Sequence, residues 1–249
     1  MNLDPETYQA ETVLIIEDEA GLVKVLKAYL EKEGFQVFTS QDGNEGTQLF
    51  YETQPDLIIL DLMLPGISGE NIARKIRQSS SVPIIMLTAK GKEEEKLEGL
   101  GIGADDYVVK PASPREITAR VKTILRRAKS TSGRTQQEII ETKNLKIDTL
   151  SHRVNLKAKD KSQPSKPGEE ISLTPTEYEI LKHLALYPKK IFSRENLADL
   201  IFGYFWEGDP RTIDTHVKNL RRKIEPDPKN PAIVKTVFGV GYQFQDEYL

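Results

Sequence analysis

Five short runs in the first half of the chain want burial on both faces, and that constrains the fold more than any other feature. They read TVLIIE (12–17), FQVFTS (35–40), DLIILD (56–61), PIIMLT (83–88) and DDYVV (105–109). Between them lie segments with apolar residues at helical spacing, such as Leu22, Val25, Leu26, Tyr29 and Leu30, with Gly34 placed to end the helix. A strand apolar on both faces must sit in a sheet covered on both sides, and alternation with helices makes that sheet parallel. Five such units predict an α/β doubly wound, five-stranded parallel sheet, with its functional site beyond the C-terminal ends of the strands.

The rhythm stops after Arg127. Residues 129–138, KSTSGRTQQE, are polar and read as a linker. From about 140 the pattern is of short strands, NLKID, HRVNLKA and EEISL, with the charged loop KDKSQPSKPGE as a hairpin tip. Three helices follow. The first opens on Thr174-Pro175-Thr176-Glu177, a capping box with Pro at the first helical position. The second starts after Ser193 and the third after Asp209-Pro210, and a hairpin of IVKTV and YQF closes the chain. The predicted organisation is an N-terminal extension (1–11), a first domain (12–128), a linker (129–142) and an α+β second domain (143–249).

A chain of 249 residues accommodates two such domains. The absence of cysteine removes disulfide frameworks, thiolate zinc sites and thiol nucleophiles together, and three histidines leave little for a His-rich metal centre. The N-terminus is polar and acidic, and no apolar run approaches the roughly 18–20 residues of a membrane span. A cytoplasmic protein without a membrane partner is expected. Residues 1–128 carry 15 Lys and Arg against 21 Asp and Glu, a net of −6, whereas residues 129–249 carry 20 against 17, a net of +3. The halves therefore suit different partners.

Glu17 and Asp18 end the first strand, Asp61 the third and Thr88 the fourth, and Lys110 follows the fifth, so all five project at one sheet edge. Carboxylates converging there repel one another, and a bound cation relieves them. Oxygen-only ligands favour Mg²⁺, which would clamp the oxygens of a phosphoryl group passing to Asp61. The Thr88 hydroxyl and the Lys110 ammonium suit phosphoryl oxygens.

The stretches IIEDE, LDLMLPGISG, MLTAK and GADDYVVKP resemble the receiver domain of two-component response regulators, a flavodoxin-like fold, over roughly residues 11–128. The resemblance implies Asp61 as phosphoacceptor, Glu17, Asp18 and Asp61 as Mg²⁺ ligands with Met63 lending a carbonyl, and Thr88, Ala89, Tyr107 and Lys110 around the phosphoryl group. Thr88 and Tyr107 form its switch pair, and the Lys110–Pro111 bond is expected to be cis. Ala112 stands where relatives often have Phe, a difference expected to alter packing rather than chemistry. In OmpR/PhoB-type regulators the positions of Lys96, Asp105, Asp106, Glu116, Arg120 and Arg127 form the two-fold interface of a phosphorylated dimer. The structural alternative is a solvated set of exposed charges.

On the helix from Arg211 to Ile224, Ile213, Val217, Leu220 and Ile224 form an apolar stripe. Arg211, Thr215, Lys218 and Arg222 lie opposite, flanked by Asn219 and Arg221, a pattern suited to the major groove of double-stranded DNA. An ordinary amphipathic surface helix is the alternative. The stretches 172–202, 211–226 and 234–244 resemble the OmpR/PhoB winged helix-turn-helix. That resemblance makes His216 a phosphate contact, although its position nearer the apolar side suits a structural histidine. Phe238 stands where many members carry a minor-groove Arg, so that Lys235 substitutes or the wing contributes packing. Phe205 and Trp206 are expected to pack partly buried, in a loop open to RNA polymerase or a second protomer.

The expected function is a phosphorylation-dependent transcriptional regulator, with a sensor histidine kinase as donor and a homodimer as active form. An aspartyl-phosphate phosphatase is a poorer fit, because Asp61-Leu62-Met63 lacks a second Asp two residues on. A phosphorylation-independent regulator is the third reading.

Overall fold

The computed structural model describes residues 10–89, 102–129, 139–157, 169–203, 206 and 208–248. Its first unit runs β1 (Thr12–Ile16), α1 (Ala20–Lys32), β2 (Gln36–Ser40), α2 (Gly43–Thr53), β3 (Leu57–Asp61), α3 (Gly69–Arg77), β4 (Ile84–Ala89), β5 (Asp106–Lys110) and α4 (Pro114–Lys129). All pairings are parallel, in the order β2-β1-β3-β4-β5. The order reverses between β1 and β3, which places the crevice for a ligand beside Asp61.

Residue parity explains the runs that are apolar on both faces. Val13, Ile15, Leu57, Ile59, Ile85 and Leu87 face one side, where α1 and α4 cover them. Leu14, Ile16, Ile58, Leu60, Ile84 and Met86 face the other, with Phe50 of α2 and Ile72 and Ile76 of α3. Alternate side chains of a strand point to opposite faces, so every position of a central strand is a core position. The segment between β4 and β5 where Lys96 was expected lies outside the described residues.

The second unit opens with an antiparallel sheet, β6 (Ile139–Glu141), β7 (Leu145–Asp148), β8 (Arg153–Leu156) and β9 (Glu169–Glu170). Residues 139–141, read from the sequence as linker, are therefore part of a strand paired with β7, and α4 continues to Lys129. Then come α5 (Pro175–Leu186), β10 (Ile191–Phe192), α6 (Arg194–Phe202), α7 (Thr212–Ile224) and a wing of β11 (Val234–Val237) and β12 (Gly241–Phe244). The expected capping box starts α5, with the Glu177 N–H donating to Thr174 Oγ1 and the Thr174 N–H to the Glu177 carboxylate. β10 pairs with β12, and a Cβ on Gly241 would stand 1.9 Å from the Phe192 carbonyl oxygen. Among the described residues, no helix is long and apolar enough to cross a membrane. Helix α4 of the first unit packs against α5 and α6 of the second.

Candidate functional site

β3 lies between β1 and β4, so its last residue, Asp61, is buried although it sits at the mouth of the sheet. Two donors orient its carboxylate: the Met63 N–H donates to Oδ1 at 2.9 Å and Lys110 Nζ to Oδ2 at 2.7 Å. The same ammonium donates to Glu17 Oε1 at 2.8 Å. Burial acts to lower the pKa of Lys110, but the bonds to Asp61 and Glu17 outweigh it and hold it above its ordinary value. Lys110 is thus the internal counter-ion of the pocket, and its bond to Pro111 is cis as the resemblance implied.

Carboxylate oxygens of Glu17, Asp18 and Asp61 lie within 4.8 Å of one another, Glu17 and Asp61 buried and Asp18 exposed. Burial pushes Glu17 up to about 7; Lys110 opposes the shift and the Asp61 charge adds to it. Three carboxylates against one ammonium leave the cluster short of positive charge. The donor set is oxygen only, and it fits a hard divalent cation such as Mg²⁺. Thr88 is buried on β4, and Tyr107 packs partly buried on the α2–α3 side of the sheet. Met63 is 71% exposed, and Ala112 packs against the α1–α4 side.

Sequence reasoning gave no separate role to Gly69, which lies inside the quoted stretch LDLMLPGISG. The first residue of α3, it donates its N–H to the Leu62 carbonyl at 3.1 Å. Its backbone rests directly on that of Asp61, as the position of a notional Cβ shows. The signal was the glycine itself, eight residues beyond Asp61.

The charges of the expected dimer face are not all solvated. Asp105 and Asp106 are buried, and each has partners within the chain. Asp105 Oδ2 accepts from Arg77 Nη2 at 3.2 Å and from the Ile84 N–H at 3.0 Å. Asp106 Oδ2 accepts from Arg120 Nη1 at 2.8 Å, and Arg120 also pairs with the half-exposed Glu116 at 2.7 Å. Burial raises the pKa of both aspartates, with Arg77 opposing it at Asp105 and Arg120 at Asp106. The side chain of Arg127 lies outside the described residues.

On α7 the apolar stripe is buried as predicted, but the open face is narrower than the angular count implied. Lys218 and Arg222 are exposed, as is Arg211 just before the helix, whereas Thr215 and Asn219 are buried. α7 packs against both α5 and α6, and burial extends over more of its circumference than one stripe. His216 is buried beside Phe202, in keeping with a structural histidine. Arg221 is turned to the wing rather than outward: it donates to the Val234 carbonyl at 2.9 and 2.7 Å and to Thr236 Oγ1 at 2.8 Å. Asp214 is bound by Arg194 Nε and the Tyr242 hydroxyl, each at 2.6 Å. Lys235 is partly buried on β11, and Phe238, at the wing tip, is 92% exposed. Trp206 stacks on Phe202 with ring centroids 4.4 Å apart; Phe205 lies outside the described residues.

Comparison with known proteins gives the same two-part division. Residues 13–122 match the response regulator receiver domain, and residues 168–244 match the transcriptional regulatory protein C-terminal domain. The transcriptional regulatory protein SrrA of Staphylococcus aureus is 44% identical over 238 residues, 94% of this chain and 95% of that one. Among solved structures, a mutant of RitR superposes with a TM-score of 0.70 at 28% identity, covering 95% of this chain and 99% of that one. DrrB of Thermotoga maritima, described as an OmpR/PhoB homologue, is 33% identical over 95% of this chain and all of that one, with a TM-score of 0.49.

Proposed function

The chain belongs to the OmpR/PhoB family of two-component response regulators, which regulate transcription, and from that premise we propose that phosphoryl transfer to Asp61 controls how its winged helix engages DNA. The observation that carries this reading is the state of Asp61: buried on the central strand, oriented by the Met63 N–H and Lys110, and grouped with Glu17 and Asp18. In the proposed reaction a carboxylate oxygen of Asp61 attacks phosphorus, the bond to the donor breaks, and an acyl phosphate remains. Glu17, Asp18 and Asp61 would hold Mg²⁺, with the Met63 carbonyl as a further ligand. The ion supplies charge neutralisation for the transferring oxygens. Lys110 exchanges part of its bonding from Asp61 to the incoming group, and the hydroxyl of Thr88 and the backbone of Ala89 border it.

The partners follow from the two surfaces. A sensor histidine kinase is the donor, cytoplasmic double-stranded DNA the target, and RNA polymerase a further contact. DNA contact falls to Arg211, Lys218 and Arg222, with Lys235 and Phe238 on the wing; Thr215, His216, Asn219 and Arg221 support the helix from behind. Lys96, Asp105, Asp106, Glu116, Arg120 and Arg127 remain the face on which two copies pair.

The test is incubation with acetyl phosphate and Mg²⁺, read by intact mass and by selection of bound sequences from random duplex DNA. A single phosphoryl group is expected on the parent and none on Asp61→Asn, with tighter selection in the phosphorylated sample. An Asp61→Asn protein that takes up the label or selects DNA equally well removes the proposed control.

A further inference from the structure

One stripe of α7 belongs to the wing. At 3.6 residues per turn, Asp214, Arg221 and the C-cap Glu225 fall within about 40° of one another, beside the apolar stripe of Ile213, Val217, Leu220 and Ile224. Asp214 accepts from the Tyr242 hydroxyl on β12 at 2.6 Å. Arg221 donates to the Val234 carbonyl and to Thr236 Oγ1 on β11.

Glu225 holds the root of β11. It is 7% exposed, and its carboxylate accepts from three successive backbone N–H groups. Oε2 accepts from Ala232 at 2.8 Å and Ile233 at 3.1 Å, and Oε1 from Ile233 at 2.9 Å and Val234 at 2.8 Å. A carboxylate taken out of water depends on such donors, and bonds to an ionised acceptor are stronger than neutral ones. β11 is the outer strand in the order β10-β12-β11. Val234 gives its N–H to Glu225 and its carbonyl to Arg221, so side chains of α7 stand where a further strand would.

The covalent path from helix to wing is a weaker guide to placement. Residues 226–230 are exposed, and the turn closes on Asp227, whose carboxylate accepts from the Lys229 N–H at 3.0 Å and Asn230 Nδ2 at 2.7 Å. On the other side of the wing, β12 is tied to β10 over two residue pairs, again at the root. Phe238 lies four residues beyond Val234, roughly 13 Å along the strand, so a tilt at the root is magnified at the tip.

We propose that Glu225 is a positioning residue for DNA recognition, fixing the root of β11 to the end of α7 so that helix and wing meet the duplex as one unit at one spacing. The effect on DNA rests on the reading that Phe238 at the wing tip touches the duplex; the coupling of wing to helix does not. The two parts fail separately.

The coupling is tested on the full chain without DNA. The sequence has no cysteine, so Leu200→Cys on α6 and Val240→Cys on the wing, both exposed, take spin labels at those positions alone. Double electron–electron resonance is expected to give one narrow distance distribution for the otherwise unchanged chain. Glu225→Gln offers one acceptor oxygen to three donors and should broaden it, whereas two glycines inserted after Lys229 should not. Thermal melts check that each variant is folded. Glu225→Asp, which keeps the charge one methylene short of the donors, takes the place of Gln if Gln does not fold. A folded Glu225 variant as narrow as the parent, or an insertion that broadens the distribution as much, overturns the coupling.

The effect on DNA is read as affinity for the duplex that the parent selects from random sequences, at fixed salt. Glu225→Gln and Phe238→Ala are each expected to bind about tenfold more weakly, and the double variant also about tenfold rather than the roughly hundredfold of independent losses. Additive losses overturn the link between Glu225 and the tip. Parental affinity in Glu225→Asp traces the loss in Gln to charge and overturns it likewise. Parental affinity in Phe238→Ala fails the wing-contact reading and leaves the coupling to stand or fall on the distances.

Discussion

A Cβ built on Gly69 would stand 2.1 Å from the carbonyl oxygen of Asp61. No side chain fits that gap, so the start of α3 and the end of β3 are in backbone contact at Asp61 itself. Gly69→Ala is expected to cost about 1–3 kcal/mol through overpacking and to slow label uptake at Asp61 at least about tenfold. Gly66→Ala serves as the comparison. Gly66 has φ +85° with open space around its Cβ, so it should lose about 1 kcal/mol and keep its labelling rate. Urea titration and a labelling time course check both. Equal labelling by the two variants would remove Gly69 from the site.

The elevated Glu17 gives the pocket a pH signature. Its pKa in the folded chain is about 7, above the ordinary 4.5, so the folded state holds the extra proton between those values. That contribution to stability is complete below about pH 4.5 and is lost as pH rises through about 7. Mg²⁺ competes with the same proton. The rise in Tm produced by millimolar Mg²⁺ should therefore grow from about pH 6 to about pH 8 and shrink in Glu17→Gln. A pH-independent rise would mean that the ion binds elsewhere.

Arg221 and Arg222 are neighbours with opposite expected signatures. Arg221→Met removes three hydrogen bonds to the wing and should cost about 1–3 kcal/mol of stability, with little change in the salt dependence of DNA binding. Arg222→Ala should leave stability within about 0.5 kcal/mol and lower the salt slope by about 0.9 if it neutralises one phosphate. Chemical denaturation and binding isotherms across salt concentrations separate them. The reverse pattern would exchange their assignments.

Phe238 is held out at a turn made by Gly239 at φ +74° and closed by the Val240 N–H on the Val237 carbonyl at 3.0 Å. Its removal leaves no cavity, so Phe238→Ala should be neutral in Tm. An apolar tip that wedges into a minor groove adds affinity without releasing counterions. The variant should therefore bind DNA about tenfold more weakly with an unchanged salt slope. Unaltered affinity would take the wing tip out of the interface.

Much of the fold follows from local signals that hold whatever the surroundings. The parity of Val13 to Ile16 and of Leu57 to Leu60 specifies a strand covered twice, and Thr174 with Glu177 specifies a helix start. The misses share one cause, which is burial or pairing supplied by remote segments. Asp105 and Asp106 look like exposed charges until Arg77, Arg120 and the winged helix are brought against them. Thr215 and Asn219 look outward on a helical wheel, which does not know how much of the helix its neighbours cover. β10 is two residues long and exists only because β12 pairs with it. In the acidic site, the carboxylates and Lys110 were legible as strand-end residues, and their orientation was not.

β5 is five residues long, with Asp106 at its first position and Lys110 at its last. It is the edge strand of its sheet, hydrogen-bonded to β4 on one side. At about 3.3 Å per residue the two side chains are anchored roughly 13 Å apart on a single stiff strut. The ammonium that holds Asp61 and Glu17 and the carboxylate that meets Trp206 are thus opposite ends of one strand, so the acidic pocket and the contact with the winged helix share a single five-residue element.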